Sequence, residues 1–447
     1  MTSLKATESR ESRGISISAL WPTRLLGRRP GLKEANIVCW GLFIAFLLAP
    51  LCVVTVIQVR QGTGFIRSLH SDFVYFYGDG QIGAHSPARL YDYPLQQRVF
   101  SSIYPAYHGE YGPSPYPPFV ALFFSLFSHL SFEAAYGLWF GLSLVLYLLG
   151  IGAALGLAFP GEDLKQSLIY CFAVGCYPFL FSTLINAQLS SVAVCAVGVA
   201  LYEERRRRFF ISGLALALLA YKPTLLIIIA PMLLLSRKFR AAAGFAVGIG
   251  ILSAASTLFA GIGIWQKYKA FLRNFSRLTG FGGASRLQLW KYVDLSSFFT
   301  AATGRPDGAA GKAAALATSA VIAIALATLL WRSARGSEPV QWLAWASTLT
   351  WTLLLNIYAP IYDSVLAVIA VILTLGALRT LGWRIASEWI VLLAVVAFAV
   401  SWTAVSFAQA HHVQLLSIAL FLLGAAQLWL LWRAIERERA PVPAVVA

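Results

Sequence analysis

Asp72 is a carboxylate in a chain that has few of them. It stands in Ser71-Asp72-Phe73-Val74-Tyr75-Phe76-Tyr77, just beyond the first long apolar run. Two readings of it are open. As the residue before an aromatic helical turn it is an ordinary N-cap. As a carboxyl partly withdrawn from water, with its pKa lifted above about 3.9, it is a general base at a membrane surface. Lys222, in Tyr221-Lys222-Pro223, interrupts an otherwise apolar hairpin. A lysine at such depth costs about 3 kcal/mol unless it snorkels to the interface or faces a cavity. In the second case it is a phosphate ligand. A third group, Lys267, Lys269, Arg273, Arg277, Arg286 and Lys291, has no acid between Ile264 and Tyr292. It reads either as a basic loop on anionic headgroups or as a pocket for a lipid-linked phosphate. In such a pocket cations offset the charge of a leaving group.

Other polar residues carry weaker signals. Gln188 and Asn186 open an apolar run and are more often caps or interhelical hydrogen bonds than ligands. Asp363, Asp294 and Asp307 stand at turns, as do His411 and His412. Tyr75, Tyr77, Tyr116 and Trp139 are candidates to pack on a sugar ring or to sit in an interfacial aromatic belt. No His/Glu cluster at ligand spacing suggests a metal. The glycines form no dinucleotide or phosphate-loop motif, so no nucleotide cofactor is expected. The five cysteines fall in or beside apolar runs and suggest neither disulfides nor zinc.

These residues must be held by membrane-spanning helices. The chain is 58% hydrophobic and 12% charged, where a soluble protein carries about 25% charged residues. Apolar stretches of about 17 to 25 residues recur along it, each long enough to cross a bilayer. The formal charge of +16 gathers in short segments between these runs, as the positive-inside rule expects of cytoplasmic loops, and a nucleic-acid partner is not called for. Residues 1–35 form a basic cytoplasmic tail, 36–59 cross outward, and 433–447 form a second cytoplasmic tail. The bundle between, 36–432, has two external loops, 61–133 and 264–310. Placing the basic clusters from Arg205 to Arg208, Arg237 to Arg240, Arg332 to Arg335, Arg379 to Arg384 and Arg433 to Arg439 on one side leaves the run 116–130 unable to span. Opening on Tyr116-Pro117-Pro118, it reads as an interfacial or re-entrant helix. The segments 208–221 and 223–236 form a short hairpin hinged at Lys222. The fold expected is an all-α polytopic membrane protein of about twelve spans.

Several of these pieces occur together in a recognisable order. They are Ser71-Asp72-Phe73 with Tyr75 to Tyr77, Leu90-Tyr91-Asp92, Tyr116-Pro117-Pro118-Phe119 with Leu130, and Ala135-Tyr136 with Trp139. Asn186-Ala187-Gln188-Leu189-Ser190, Gly213 through Lys222-Pro223, and Pro360-Ile361-Tyr362-Asp363 follow. In this the chain resembles the membrane glycosyltransferases of family 87, which use polyprenyl-phosphate sugars and have the C-type fold. The resemblance implies that Asp72 is the catalytic base of the first external loop and that Lys222 lies near the donor phosphate. It departs from the family at Ala187, where Gly usually precedes the Gln. The function expected is transfer of a hexose, mannose above others, from a polyprenyl-phosphate donor to a glycan or glycolipid acceptor, with inversion. Arg273, Arg277 and Arg286 would assist at the phosphate, while Tyr75, Tyr77, Tyr116, Trp139, Gln188 and Asp363 would line the sugar and acceptor site. The enzyme would lie in the inner (plasma) membrane with its site on the external face. A lipid-linked sugar transporter or flippase, and a polysaccharide polymerase or ligase, are the rival classes. The first would more often show paired repeats, which are not seen here.

Overall fold

A chain this apolar has to satisfy its backbone hydrogen bonds internally, and helices do so within one segment. The computed structural model describes residues 72–103, 111–279, 288–303 and 309–440, with isolated helical positions between Gly41 and Cys52. The N-terminal tail, most of the first expected span, Glu110, Arg286, Asp307 and residues 441–447 lie outside the described residues, as does the side chain of Arg277. In chain order the helices are α1 (Phe73–His85), α2 (Tyr93–Ile103), α3 (Pro118–Ser125), α4 (Phe132–Ala158), α5 (Asp163–Gly175), α6 (Ser190–Arg205), α7 (Phe209–Ala217) and α8 (Leu226–Leu235). Then follow α9 (Phe239–Ala260), α10 (Ile264–Thr279), α11 (Leu295–Ala302), α12 (Ala309–Ser333), α13 (Glu338–Leu354), α14 (Leu366–Leu381), α15 (Arg384–His411) and α16 (Leu415–Arg439).

Among the described residues six helices are long and apolar enough to cross a membrane, or seven if a bent pair counts as one span. The bent pair is α5 with the π-helical turn Pro178–Ile185, angled at 57°. The other apolar runs form shorter helices. The run 116–130 becomes Pro118–His129, with Pro118 in the first turn where its missing N–H leaves no bond unmade. The hairpin becomes Phe209–Tyr221 and Pro223–Leu235. Lys222 lies between them with φ −132° and ψ 88°, outside the helical region.

Helices in lipid gain little from hydrophobic burial against each other and associate through close packing of small residues. Gly150 on α4 and Gly198 on α6 meet backbone to backbone, and a β-carbon on Gly198 would fall 2.5 Å from the Gly150 carbonyl oxygen. Gly213 on α7 lies against the backbone of Ala241 and Phe245 on α9, and Gly244 on α9 lies against the backbone of Phe210 on α7. The α4–α6 contact fixes where α6 begins, and α6 begins at the polar cluster described below.

The bundle has two unlike ends. Helix α6 runs from Ser190 to Arg205, about 24 Å at 1.5 Å per residue. At the Arg205 end the turns are joined by ion pairs, Lys238 to Glu204 at 2.6 Å, Arg379 to Glu162 at 2.6 Å, and Arg332 to Glu436. At the Ser190 end lie Asp72, Gln188, Lys222 and Asp363. Replacing Gly198 by Leu is expected to force α4 and α6 apart and to lower the thermal midpoint by about 5 °C or more. Gly156→Ala, where a β-carbon meets nothing within 4 Å, is expected to leave it unchanged; equal effects in a thermal-shift assay would contradict the packing assignment.

Candidate active site

Helix α1 reaches the bundle through its aromatic face. Phe73 and Phe76 are fully buried and pack on Phe124 of α3 at 6.1 and 5.2 Å, and Phe124 packs on Trp139 of α4 at 5.1 Å. This contact sets Asp72, the residue before the helix, against the start of α6. The carboxyl does not cap α1: no cap bond forms, and Asp72 itself has helical angles of φ −62° and ψ −3°. Its Oδ2 instead accepts a hydrogen bond from Nε2 of Gln188, 116 residues away. The N-cap reading of Asp72 is thereby corrected: the carboxyl is turned away from its own helix and into the bundle. Burial raises its pKa above the ordinary carboxylate value, and the Gln188 amide and the nearby charge of Lys291 pull it part of the way back.

Gln188 follows a strained turn. Ala187 has φ +59° and is fully buried, in the left-handed region where a glycine meets no steric cost. A glycine at this position would relieve that strain. Trp139 Nε1 donates to the Ala187 carbonyl at 2.9 Å, and Tyr136 donates to that of Ile185 at 2.7 Å. Oε1 of Gln188 accepts from the Tyr116 hydroxyl at 3.3 Å.

Two residues further on, Ser190 donates to Asp363 Oδ1 at 2.9 Å, and Lys222 forms an ion pair with Asp363 Oδ2. The Asp363 carboxylate is buried, while Lys222 keeps 16% of its side chain exposed and lies 4.8 Å over the Tyr362 ring. Asp72 and Lys222 are therefore joined through Gln188, Ser190 and Asp363 at the start of α6. Lys291 stands on a segment tied to the same turn. Val293 donates to the Ala359 carbonyl at 2.8 Å, and Ala359 donates back to Asp294 at 2.9 Å. Asp294 also caps α11 by accepting from Ser297, and burial raises its pKa to about 6.

The remaining sequence candidates lie apart from this cluster. Tyr77 is buried with its hydroxyl on the Leu130 carbonyl at 2.7 Å. Tyr75 packs edge-on to Phe100 and Tyr111 and accepts from Gly112. Trp139 is buried with its N–H on Ala187. Of the three, only Trp139 bonds the turn that carries Gln188. Arg273 is on the exposed side of α10, whose other side holds Tyr268 against Tyr91 at 5.1 Å. Ser190 and Tyr362 were not singled out from the sequence as site residues, and Lys291 was named only together with the other cations of its loop. Ser190 and Tyr362 lie inside recognised motifs, whereas for Lys291 no spacing separates it from the other cations of its loop.

The sequence pattern of glycosyltransferase family 87 matches residues 115–357, more than half of the chain. The matched stretch takes in Tyr116, Gln188, Lys222 and Lys291; Asp72 and Asp363 lie beyond its ends. No curated protein matches, nor does any solved structure.

One buried carboxyl near the site yields a test of its own. Asp79 on α1 accepts from Ser114 at Oδ2, its Oδ1 has no partner among the described residues, and burial raises its pKa to about 8. Folded, it keeps its proton between about pH 4 and 8, where the unfolded chain has lost it, so stability is greatest below the unfolded value and falls as pH rises through this window. Asp79→Asn is expected to flatten that decline and raise the thermal midpoint at neutral pH by a few degrees. A decline as steep as that of the wild type would contradict the assignment.

Proposed function

The chain belongs to glycosyltransferase family 87, and on that premise we propose that this membrane glycosyltransferase moves a hexose from a polyprenyl phosphate to a glycan or glycolipid acceptor. We take mannose as the sugar and the external face of the inner (plasma) membrane as the side. The observation that carries the mechanism is the connection of the Asp72 carboxyl to a partly exposed ammonium, Lys222, through Gln188 and Ser190 at the start of α6 and Asp363 in the turn before α14.

In the proposed reaction the acceptor hydroxyl loses its proton to Asp72 as its oxygen attacks the anomeric carbon. The bond from that carbon to the phosphate oxygen breaks, and the polyprenyl phosphate leaves with the electron pair. One displacement with one base inverts the sugar centre, unlike the paired-carboxylate retaining scheme. The raised pKa of Asp72 makes its carboxylate a stronger base than an ordinary one. Lys222 has three N–H donors; Asp363 holds one and fixes the charge in place, leaving the others for the phosphate. Lys291 adds a second positive charge on the Asp72 side. Arg273, Arg277 and Arg286 of the same loop are proposed to meet the phosphate as it arrives from the lipid. Tyr116, still partly exposed, is the aromatic proposed to face the sugar, with Gln188 and Asp363 beside it.

Asp72→Asn in the purified protein is expected to lower sugar transfer from a polyprenyl-phosphate donor by about 10²- to 10⁴-fold while donor binding stays within a few-fold of wild type. Retained turnover would remove the base assignment. Lys222→Met is expected to weaken donor binding and turnover together, by about 10²-fold in kcat/KM, with part of the activity restored by Lys222→Arg. Unchanged donor binding in Lys222→Met would contradict its place at the phosphate.

A further inference from the structure

The two ends of the Gln188 amide differ in sense: Oε1 only accepts hydrogen bonds and Nε2 only donates them. Gln188 is 3% exposed, so water cannot readily replace a missing partner, and each end depends on the protein group it meets. Nε2 meets Asp72, and Oε1 meets the hydroxyl of Tyr116. An ionised carboxylate accepts and cannot donate, which matches the amino end. A protonated carboxyl donates, which matches the oxygen end after the amide has turned over. The direction of the amide and the proton on Asp72 are thus tied together. The group at the far end of the amide biases both.

That far group is held rigidly. Tyr116 has its ring 4.8 Å from Phe76, and its carbonyl accepts from the Tyr91 hydroxyl at 2.7 Å. The backbone of Gln188 is held too, by its N–H on the Thr183 carbonyl at 2.8 Å and by the Trp139 bond one residue before. Little in the pair is free to move except the amide torsion and the phenol proton. We infer that Tyr116 is a positioning residue for the proposed base: by donating to Gln188 Oε1 it turns the amino end of the amide toward Asp72 and holds that carboxyl in its proton-accepting form. This deepens the reading of Asp72 as the base and rests on it.

The other charged or titratable groups facing Asp72 are Lys291, from the segment joined to the 359–363 turn, and the phenols of Tyr116, Tyr292 and Tyr362. The Lys222–Asp363 pair lies beyond Ser190. Burial keeps the Tyr116 phenol protonated far above its usual range, and the Asp72 and Asp363 carboxylates add to this. Tyr116 therefore stays a donor over the whole range in which Asp72 titrates. Lys291 acts through space and does not depend on the direction of the amide.

The test is an infrared titration of the full-length protein in detergent, following the carboxyl band that Asp72→Asn removes. Tyr116→Phe is expected to move its midpoint upward by about half to one pH unit, the scale of one lost hydrogen bond. Gln188→Leu should move it upward by at least as much. The double variant should match Gln188→Leu alone, because Tyr116 acts only through the amide. A Tyr116→Phe midpoint coincident with wild type overturns the inference, as does a double variant that adds the full Tyr116→Phe shift to that of Gln188→Leu. A ring-fluorinated tyrosine at position 116 preserves the shape and strengthens the donor, so it reports even if Tyr116→Phe fails to fold. It should lower the midpoint, and no movement overturns the inference. Transfer activity separates the two levels. Turnover retained by Asp72→Asn removes the base reading whatever Tyr116 does. An inactive Asp72→Asn with an unmoved Tyr116→Phe midpoint removes this inference alone.

Discussion

The ion pair between Lys222 and Asp363 is the contact on which the polar end of the bundle depends. A lysine between two short apolar helices is stable only with a partner close by, because neither lipid nor packed side chains can solvate an ammonium. Asp363 supplies that partner from the turn before α14, and Ser190 fixes its second oxygen. The same turn is zipped to the segment carrying Lys291 through Val293, Ala359 and Asp294. The hinge, the start of α6, the start of α14 and the second loop meet at this one neutralised charge. Removing Lys222 would leave the buried Asp363 carboxylate unpaired, which is far more damaging than never having had the pair.

The opposite end of the bundle solves a different problem. There Lys238, Arg332 and Arg379 pair with Glu204, Glu436 and Glu162, each drawn from a different turn. Those pairs join helix ends to one another, and each carboxylate there meets a cation directly. At the site end the carboxyl of Asp72 meets an amide and not a cation, so its charge is only partly compensated. Under the proposed function, that difference suits the Asp72 end to moving a proton. The aromatic wall of Phe73, Phe76, Phe124 and Trp139 holds the second arrangement in place, since it docks α1 on the bundle.

Much of this was legible in the sequence because polar residues stand out in an apolar chain. Asp72, Lys222, Gln188 and Asp363 were all visible as exceptions, and the hinge at Tyr221-Lys222-Pro223 followed from proline and charge together. Their partners were not legible. Asp72 meets Gln188 across 116 residues and Lys222 meets Asp363 across 141, and contacts at such separation leave no periodic trace. Tyr75, Tyr77 and Trp139 illustrate a second limit. An aromatic residue at a helix face reads the same whether it packs on a sugar or on a neighbouring helix, and only the partners of Tyr77 Oη and Trp139 Nε1 distinguish the two. Apolar length was similarly ambiguous. The run near 167–184 bends by 57° at Cys176-Tyr177, and 208–236 breaks at Lys222, so counting apolar stretches does not count straight spans.

The central claim is that the leaving phosphate and the attacking hydroxyl meet between Lys222 and Asp72. It is tested most directly by a cryo-electron microscopy structure of the full-length protein in lipid nanodiscs with a non-hydrolysable polyprenyl-phosphate mannose analogue. The account predicts phosphate density against Lys222, with the sugar's anomeric carbon turned toward Asp72. Density for the phosphate among the basic turns at the Arg205 end, or a sugar facing away from Asp72, would contradict it.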